Sequence, residues 1–395
     1  MTTAMRSIEL PSGRLDVHIH EETPDFGLDV LCDFAARNNP KRGFLVVSKV
    51  LGRHIPSDPL LMHRVHATLA AKLASTDLPG PVVFMGMAET AICLGQAVHD
   101  TYAKLTERQG DTMFLHSTRQ ILDGDEDGIV AEFSEPHSHA ARHIVYSPLQ
   151  FQLKAMLKAA RSLVLIDDES STGTTFMNAA RAMAQLAPCL QVVSTAVITD
   201  WSNGADWRQK EGWKGASVAL LRGELSWHGR ADFVSETPPV TNTGALGHVA
   251  NSFDYGRRGT ATPYHRLPAG ASYAQFAGAI TRSIKAQSYL VVGTGEFTYP
   301  AYRLALAMRE RGHKVCVQAT TRSPVHLGGA IGSVLRFADN YGADVPNFLY
   351  NAQPIDGQKV IIVCETGEAS IDPTLVEALD AHVIALGSEA KRKAA

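Results

Sequence analysis

Short apolar runs alternate with longer amphipathic stretches along most of this chain. FLVVS at 44–48, VVFMG at 82–86, TMFLHS at 112–117, SLVLID at 162–167 and QVVSTAVI at 191–198 have the length and β-branched content of buried strands. Between them lie patterns such as TAICLGQAVHDTYAKL and TFMNAARAMAQL, whose apolar positions recur at helical spacing. Strands that are apolar on both faces and joined by helices predict βαβ units in a mostly parallel sheet, so the first half reads as α/β.

The pattern lapses after about Gly223, where SETPPVTNTG and YGRRGTATPYHRLPAG are rich in Pro, Gly and Thr and show little periodicity. Alternation returns with YLVVGTGEF, a helical YPAYRLALAMRERG, then VCVQATTRSP, KVIIVCE and HVIALG. The predicted organisation is a first domain over 1–235, a Gly/Pro-rich connection over 236–275, and a smaller Rossmann-like α/β domain over 276–395 that ends in a frayed KRKAA tail. The halves echo each other. VVFMGMAET, a helix and TMFLHSTR resemble VVGTGEFTY, a helix and VCVQATTR, which aligns Glu89 with Glu296 and Arg119 with Arg322 and points to a duplicated βαβ unit.

Composition narrows the classes. A net charge of -3 over 395 residues gives no reason to expect a nucleic-acid or membrane-surface partner, and 45% hydrophobic residues suffice for ordinary cores. The 5 cysteines are scattered without a CxxC pair, which argues against a disulfide framework and a zinc knuckle and reads as reduced core residues. MTTAMRSIELPSGRLDVHIHEE has no continuous apolar segment, and no membrane-length apolar run follows. The expectation is a cytoplasmic protein with a small-molecule partner.

The chemistry concentrates in LVLIDDESSTGTT at 163–175. A strand ending in acids, then a tight loop and a helix, gathers backbone N–H groups and a helix N-terminus around one point, which suits a phosphate. Gly173 permits close backbone approach, and Ser171, Thr172, Thr174 and Thr175 add hydroxyl donors. Asp167 and Asp168, just upstream, are at the right remove to hold the vicinal hydroxyls of an attached sugar or to face a divalent cation. No GxxxxGK[ST] is present, so this is not a Walker A loop.

The stretch resembles the PRPP-binding signature of type I phosphoribosyltransferases. Together with RGFLVVSKVLGRHIP at 42–56, GMAETAICLG at 86–95, EPHSHAARH at 135–143, GTGEF, TTRSP and NFLYN, the chain from about Arg42 to Glu365 resembles the phosphoribosyltransferase-plus-TRSP proteins of tellurite-resistance (Ter) biosynthetic clusters. That resemblance implies Mg²⁺-dependent transfer of a phosphoribosyl group from PRPP, as co-substrate, to a small base-like acceptor, in a pathway making a nucleoside-like metabolite. It further implies that Asp167 and Asp168 hold the ribose hydroxyls and the Mg²⁺, and that Ser171, Thr172, Gly173, Thr174 and Thr175 bind the 5-phosphate. The SKVLGR turn would be the pyrophosphate loop, with Lys49 on the leaving group, Arg53 assisting, and a non-proline cis peptide among Ser48, Lys49 and Val50. A hood within Thr106–His143 would close over the reacting centre, bringing Glu135, His137 and His139 to pyrophosphate or the nucleophile. Ser171 stands where some purine transferases carry an aspartate, which speaks against a purine-type base at that position. The resemblance also implies a homodimer.

Other motifs are weaker. His137, His139 and His143 are spaced H-x-H-x3-H, but i and i+2 diverge on a helix and no acidic partner is set by spacing; they are either hood residues or satisfied structural histidines. LDVHIH at 15–20 mimics a metal-hydrolase strand but reads as one face of an alternating edge strand. GTGEF is a lone GxG. Glu296 and Arg322 either bind a ligand or pack the two domains together, and Cys364 and Glu365 replace the acid pair in the repeat without a phosphate loop. A non-catalytic PRPP or nucleotide sensor is the rival reading; the absence of a DNA-binding motif weakens its repressor form.

Overall fold

The computed structural model describes residues 4–37, 42–135, 142–230, 233, 245–250, 255–261 and 270–386. From the N-terminus run β1 (Ala4–Leu10), β2 (Gly13–Glu22), α1 (Leu28–Leu31), β3 (Cys32–Ala36), β4 (Phe44–Ser48), α2 (Pro59–Ala74), β5 (Val82–Gly86), α3 (Ile92–Leu105) and β6 (Thr112–His116). Next come β7 (Gln120–Asp123), β8 (Ile129–Ser134), β9 (Arg142–Tyr146), α4 (Phe151–Ala159), β10 (Ser162–Ser170), α5 (Thr174–Leu186), β11 (Val192–Asp200), α6 (Arg208–Glu211), β12 (Ser217–Gly229) and β13 (Gly247–Ala250). The last third holds α7 (Tyr273–Ser283), β14 (Ser288–Gly293), α8 (Tyr299–Glu310), β15 (Lys314–Ala319), β16 (Val334–Phe337), β17 (Asn347–Tyr350), β18 (Gln358–Cys364), α9 (Pro373–Leu379) and β19 (Ala381–Ala385). Helix starts follow local chemistry: Asp58 accepts from the Leu60 N–H before α2, Ser272 and Gln275 form a capping box on α7, and Asp372 caps α9 ahead of Pro373.

The main sheet has the order β1-β2-β12-β11-β10-β5-β6, with β12 to β6 parallel and the first two strands antiparallel. Strands β5, β6 and β11 are buried along their whole length, as helices on both faces require. The fold class is therefore the α/β one read from the sequence. Two local readings are corrected. FLVVS is not a strand of this sheet: β4 pairs only with β3 in a separate antiparallel ribbon. LDVHIH lies in β2, between β1 and β12 rather than at an edge, with the Asp16 carboxylate taken by the Ser7 hydroxyl (2.6 Å) and His228 (3.0 Å). Of the cysteines, Cys32, Cys93 and Cys364 are buried, Cys316 is half-buried and Cys189 is exposed, so the last is not a core residue. No helix among the described residues is long and apolar enough to cross a membrane.

The second sheet, β15-β14-β18-β19, is wholly parallel and repeats the order β6-β5-β10-β11 of the first. The duplication reaches well past one βαβ unit. The β8–β9 hairpin recurs as β16–β17, and the turns after the first strands close alike. Ser117 N–H donates to Gly86 O (3.1 Å) and Ala88 N–H to Ser117 Oγ (3.0 Å); Thr320 N–H donates to Gly293 O (2.9 Å) and Gly295 N–H to Thr320 Oγ1 (2.8 Å). Strand register pairs Ile166 with Gly86 and Val363 with Gly293, so Asp167 and Asp168 correspond to Cys364 and Glu365.

The two halves share cores. Met62, Cys93 and Ala97 pack in one cluster with Phe297, Tyr299, Ala301 and Tyr302, and Ala35 and Val47 in another with Val325, Ile331, Phe348 and Tyr350. The connecting segment is built in as well. β13 pairs in parallel with β7, Thr260 bridges to Phe114, and the buried Arg257 guanidinium bonds both Glu365 oxygens (2.8 and 2.7 Å) and stands 3.4 Å from Glu296. Arg257→Ala would leave two buried carboxylates without their cation, and should cost about 3–5 kcal/mol. All 4 tryptophans lie in the first half, so a urea midpoint that falls equally by tryptophan fluorescence and by far-UV circular dichroism is expected; an unshifted tryptophan transition would mean that the halves unfold independently.

Candidate active site

Strand β10 carries its ladder through the acids to Ser170, which pairs with Asp200 of β11. The chain then turns at Gly173, whose φ of 73° is left-handed, and enters α5 with no side-chain cap; the Thr174 N–H has only a long 3.4 Å contact to the Thr172 hydroxyl. A Cβ at Gly173 would stand 2.3 Å from Cδ1 of Trp207, so the indole backs the loop and only glycine fits. An uncapped helix N-terminus and the side chains of Ser171, Thr172, Thr174 and Thr175 thus line one cleft, a geometry that suits an anion.

Asp167 and Asp168 line the same cleft, half-buried. The Thr90 hydroxyl lies within donor reach of both, at 3.3 and 3.2 Å. Burial, then the charge of Asp168, pushes the Asp167 carboxyl well above the ordinary carboxylate range; burial and Glu169 raise Asp168 too. Such a pair calls for a cation or for hydroxyl donors. Among the described residues no cluster of three or more His, Cys, Asp or Glu could hold a metal alone, but two adjacent carboxylates fit Mg²⁺, which takes few protein ligands and completes its shell with substrate oxygens and water.

The loop facing this pair follows β5. Met87 N–H donates to Ile166 O (3.0 Å), and Ala88, Glu89 and Thr90 line the cleft. The non-proline cis peptide lies here, between Ala88 and Glu89, and not among Ser48, Lys49 and Val50. Correspondingly, the SKVLGR turn is not at the cleft. Lys49 Nζ donates to Asp29 O (2.8 Å), Ser57 exchanges backbone bonds with Val317, and Gly52, at φ 67°, stands where a Cβ would meet Val317 O at 2.9 Å. Ser48 and Val50 are buried beneath it. Arg53 is buried between the halves, donating to the carbonyls of Gly295 (2.9 Å), Thr320 (2.6 Å) and Glu89 (2.6 Å). It braces the loop from behind and does not line the cleft. His54 does line it, held neutral by burial and then Arg53, which push its pKa down to about 3.

Within the expected hood, β6 belongs to the main sheet, and the covering part is the β8–β9 hairpin, tied to α5 by Asn178 Nδ2 on Ser134 O (2.9 Å). Glu135 faces the cleft, 3.2 Å from Arg119 and 3.4 Å from His143. His143 stacks on Phe133 at 4.6 Å, bonds Ser117, and is held towards its neutral form by burial and Arg119. His137 and His139 lie outside the described residues.

Several lining residues lie outside the set expected from the sequence: Thr90, Arg37 and Arg42 from the β3–β4 ribbon, Arg119, and Thr321 and Ser323 of the second half; Arg322, expected either to bind a ligand or to pack the domains, lines the cleft with them. Their signal was the echo itself, since Arg119 and Arg322 end equivalent strands. Glu296 is buried away from the cleft, taking the Thr118 hydroxyl and the Arg119 N–H (2.6 Å), so of the Glu296–Arg322 pair only Arg322 reaches it.

Gly173→Ala should force the loop off Trp207 and lower stability by about 1–3 kcal/mol, read from the urea midpoint; an unchanged midpoint would contradict this. For Asp167 the pKa is raised by folding, so its contribution to stability is present below the ordinary carboxylate range and lost as pH rises through the raised value. Asp167→Asn should therefore flatten the fall in Tm from mildly acid to neutral pH and melt above wild type at neutrality; an unchanged pH profile would contradict this.

A family described as phosphoribosyl transferase matches residues 31–224, and one described as TRSP domain C terminus to PRTase_2 matches residues 254–379. No curated protein matches the chain. Similar solved structures include adenine phosphoribosyl transferase from Trypanosoma brucei with AMP, pyrophosphate and ribose-5-phosphate (11% identity, 55% of this chain and 87% of that one, TM-score 0.34). Another is the Leishmania tarentolae adenine enzyme (12%, 55% and 94%, TM-score 0.34), and a third the Mycobacterium tuberculosis orotate enzyme with PRPP (18%, 41% and 76%, TM-score 0.24). With both family matches in the order and place that the two α/β halves occupy, the chain belongs to the phosphoribosyl transferases that carry a C-terminal TRSP domain.

Proposed function

We propose that the chain transfers the 5-phosphoribosyl group of PRPP to a small base-like acceptor with release of pyrophosphate, in the biosynthesis of a nucleoside-like metabolite. The observation that carries this reading is the pair of raised carboxylates, Asp167 and Asp168, one loop away from an uncapped helix N-terminus in a single cleft.

In this reading Ser171–Thr175 and the first turn of α5 take the 5-phosphate, and Asp167 and Asp168 take the ribose diol. The 87–90 loop and Arg119 face the diphosphate. The C1–O bond breaks with its electron pair leaving on pyrophosphate, while a lone pair of the acceptor bonds to C1 and the acceptor gives up a proton. Charge develops on the sugar and the leaving group, so the protein's work is to position and to neutralise. Mg²⁺ held by Asp167 and Asp168 would add positive charge next to the leaving group. Glu135, fixed by Arg119 and His143, is the hood-side carboxylate for the acceptor's proton, Glu169 being engaged by Arg42 at 2.6 Å. The β8–β9 hairpin over the cleft limits access of water to the activated sugar.

Pyrophosphate release with PRPP, Mg²⁺ and a panel of nucleobases and related heterocycles tests this. Asp168→Asn should lower kcat/KM by about 10²–10³, whereas Lys49→Ala, whose ammonium sits on the Asp29 carbonyl, should stay near wild type. Tight PRPP binding without turnover of any acceptor would instead make the protein a sensor.

A further inference from the structure

The interface between the halves is reciprocal. Glu89 of the first half takes Arg322 Nε (2.9 Å) and the Thr321 hydroxyl (3.2 Å) of the second; Glu296 of the second takes the Arg119 N–H (2.6 Å) and the Thr118 hydroxyl of the first. Thr118 bridges to Ile144 as Thr321 bridges to Phe348. Equivalent residues thus meet across the interface, as in an isologous dimer but within one chain, although Arg322 meets Glu89 through its side chain and Arg119 meets Glu296 through its backbone N–H.

The symmetry is broken at the two cleft positions. In the second half, the place that corresponds to Asp168 and Glu89 is closed: the buried Arg257 lies between Glu365 and Glu296, and the Tyr341 hydroxyl donates to Glu365 (3.0 Å). In the first half the place is open, and arginines from both halves reach it. Arg119 lines it with a buried Nη1 that has no hydrogen-bond partner among the described residues. Arg322 lines it from the other side of the interface, its guanidinium plane fixed by Nε on Glu89 and by Nη1 on Ala245 O (2.8 Å). With the 5-phosphate assigned to the Ser171–Thr175 loop in the proposed reading, the cations beside the 87–90 loop are left for the other anionic end of the donor. A fixed guanidinium loses little freedom on meeting it.

We propose that Arg322, with Thr321 beside it, is a catalytic residue supplied by the TRSP half to the diphosphate of the ribosyl donor, so that each chain carries one complete site and one closed one. This rests on the donor reading given under the proposed function.

Calorimetric titration of wild type and Arg322→Gln with PRPP and with ribose 5-phosphate, both with Mg²⁺, tests it. Loss of the guanidinium should weaken PRPP binding about tenfold to a hundredfold and raise KM more than it lowers kcat, while ribose 5-phosphate binding stays within about twofold. Arg322→Lys should fall in between. Should Arg322→Gln fail to fold because Glu89 is left buried alone, the charge-free pair Glu89→Gln with Arg322→Gln is titrated with the same two ligands against Glu89→Gln alone. Equal loss for both ligands, or no loss for PRPP, overturns the assignment and leaves the donor site standing. Wild type that binds neither ligand overturns both.

Discussion

One buried carboxylate sets the geometry of the cleft. Glu89 sits between the halves with its side chain 9% exposed, and burial alone would favour its neutral form. Arg322, Arg53 and Arg119 outweigh that, so its pKa lies below the ordinary carboxylate range and it stays charged. The residue before it bonds Ser117, and the residue after it presents its hydroxyl to Asp167 and Asp168. Holding Glu89 therefore holds the whole 87–90 loop against the carboxylate pair. Because its cations come from both halves, neither half forms the cleft alone.

The acid pair shows the opposite balance. Burial pushes both members towards neutrality, helped by the charge of Asp168 at Asp167 and by that of Glu169 at Asp168, a cost that a cation or hydroxyl donors would remove. Gly173, left-handed and pressed against Trp207, likewise trades local freedom for a backbone that can approach an anion closely.

Much of this was legible in the residues. Parallel strands buried on both faces announce themselves as continuous apolar runs, and the Asp-Asp-x-x-Ser-Thr-Gly-Thr-Thr stretch carries its own turn and helix start, so the fold class and the uncapped turn into α5 could be read locally. Lys49 could not. FLVVS is as apolar as a core strand because Val47 packs against Val325, Ile331, Phe348 and Tyr350 of the second half, a contact that no local pattern encodes. The 87–90 loop was hidden for the converse reason: GMAET is short and carries no cation, and its role comes from lying beside β10 in the sheet. Arg53 looked like a site residue because an arginine near a loop is a generic signal, whereas its three carbonyl partners are far off in sequence. The echo of Glu89 in Glu296 and of Arg119 in Arg322 marked the residues of the interface, but only the crossing of partners in the structure shows that it is reciprocal.

The most direct test of the account is a crystal structure of the whole chain with ribose 5-phosphate and Mg²⁺. The account predicts phosphate oxygens on the backbone N–H groups of 172–175 and the diol facing Asp167 and Asp168, in one cleft per chain. A sugar phosphate seated between Glu296 and Glu365 in place of Arg257, or an empty β10–α5 turn at saturating ligand, would contradict it.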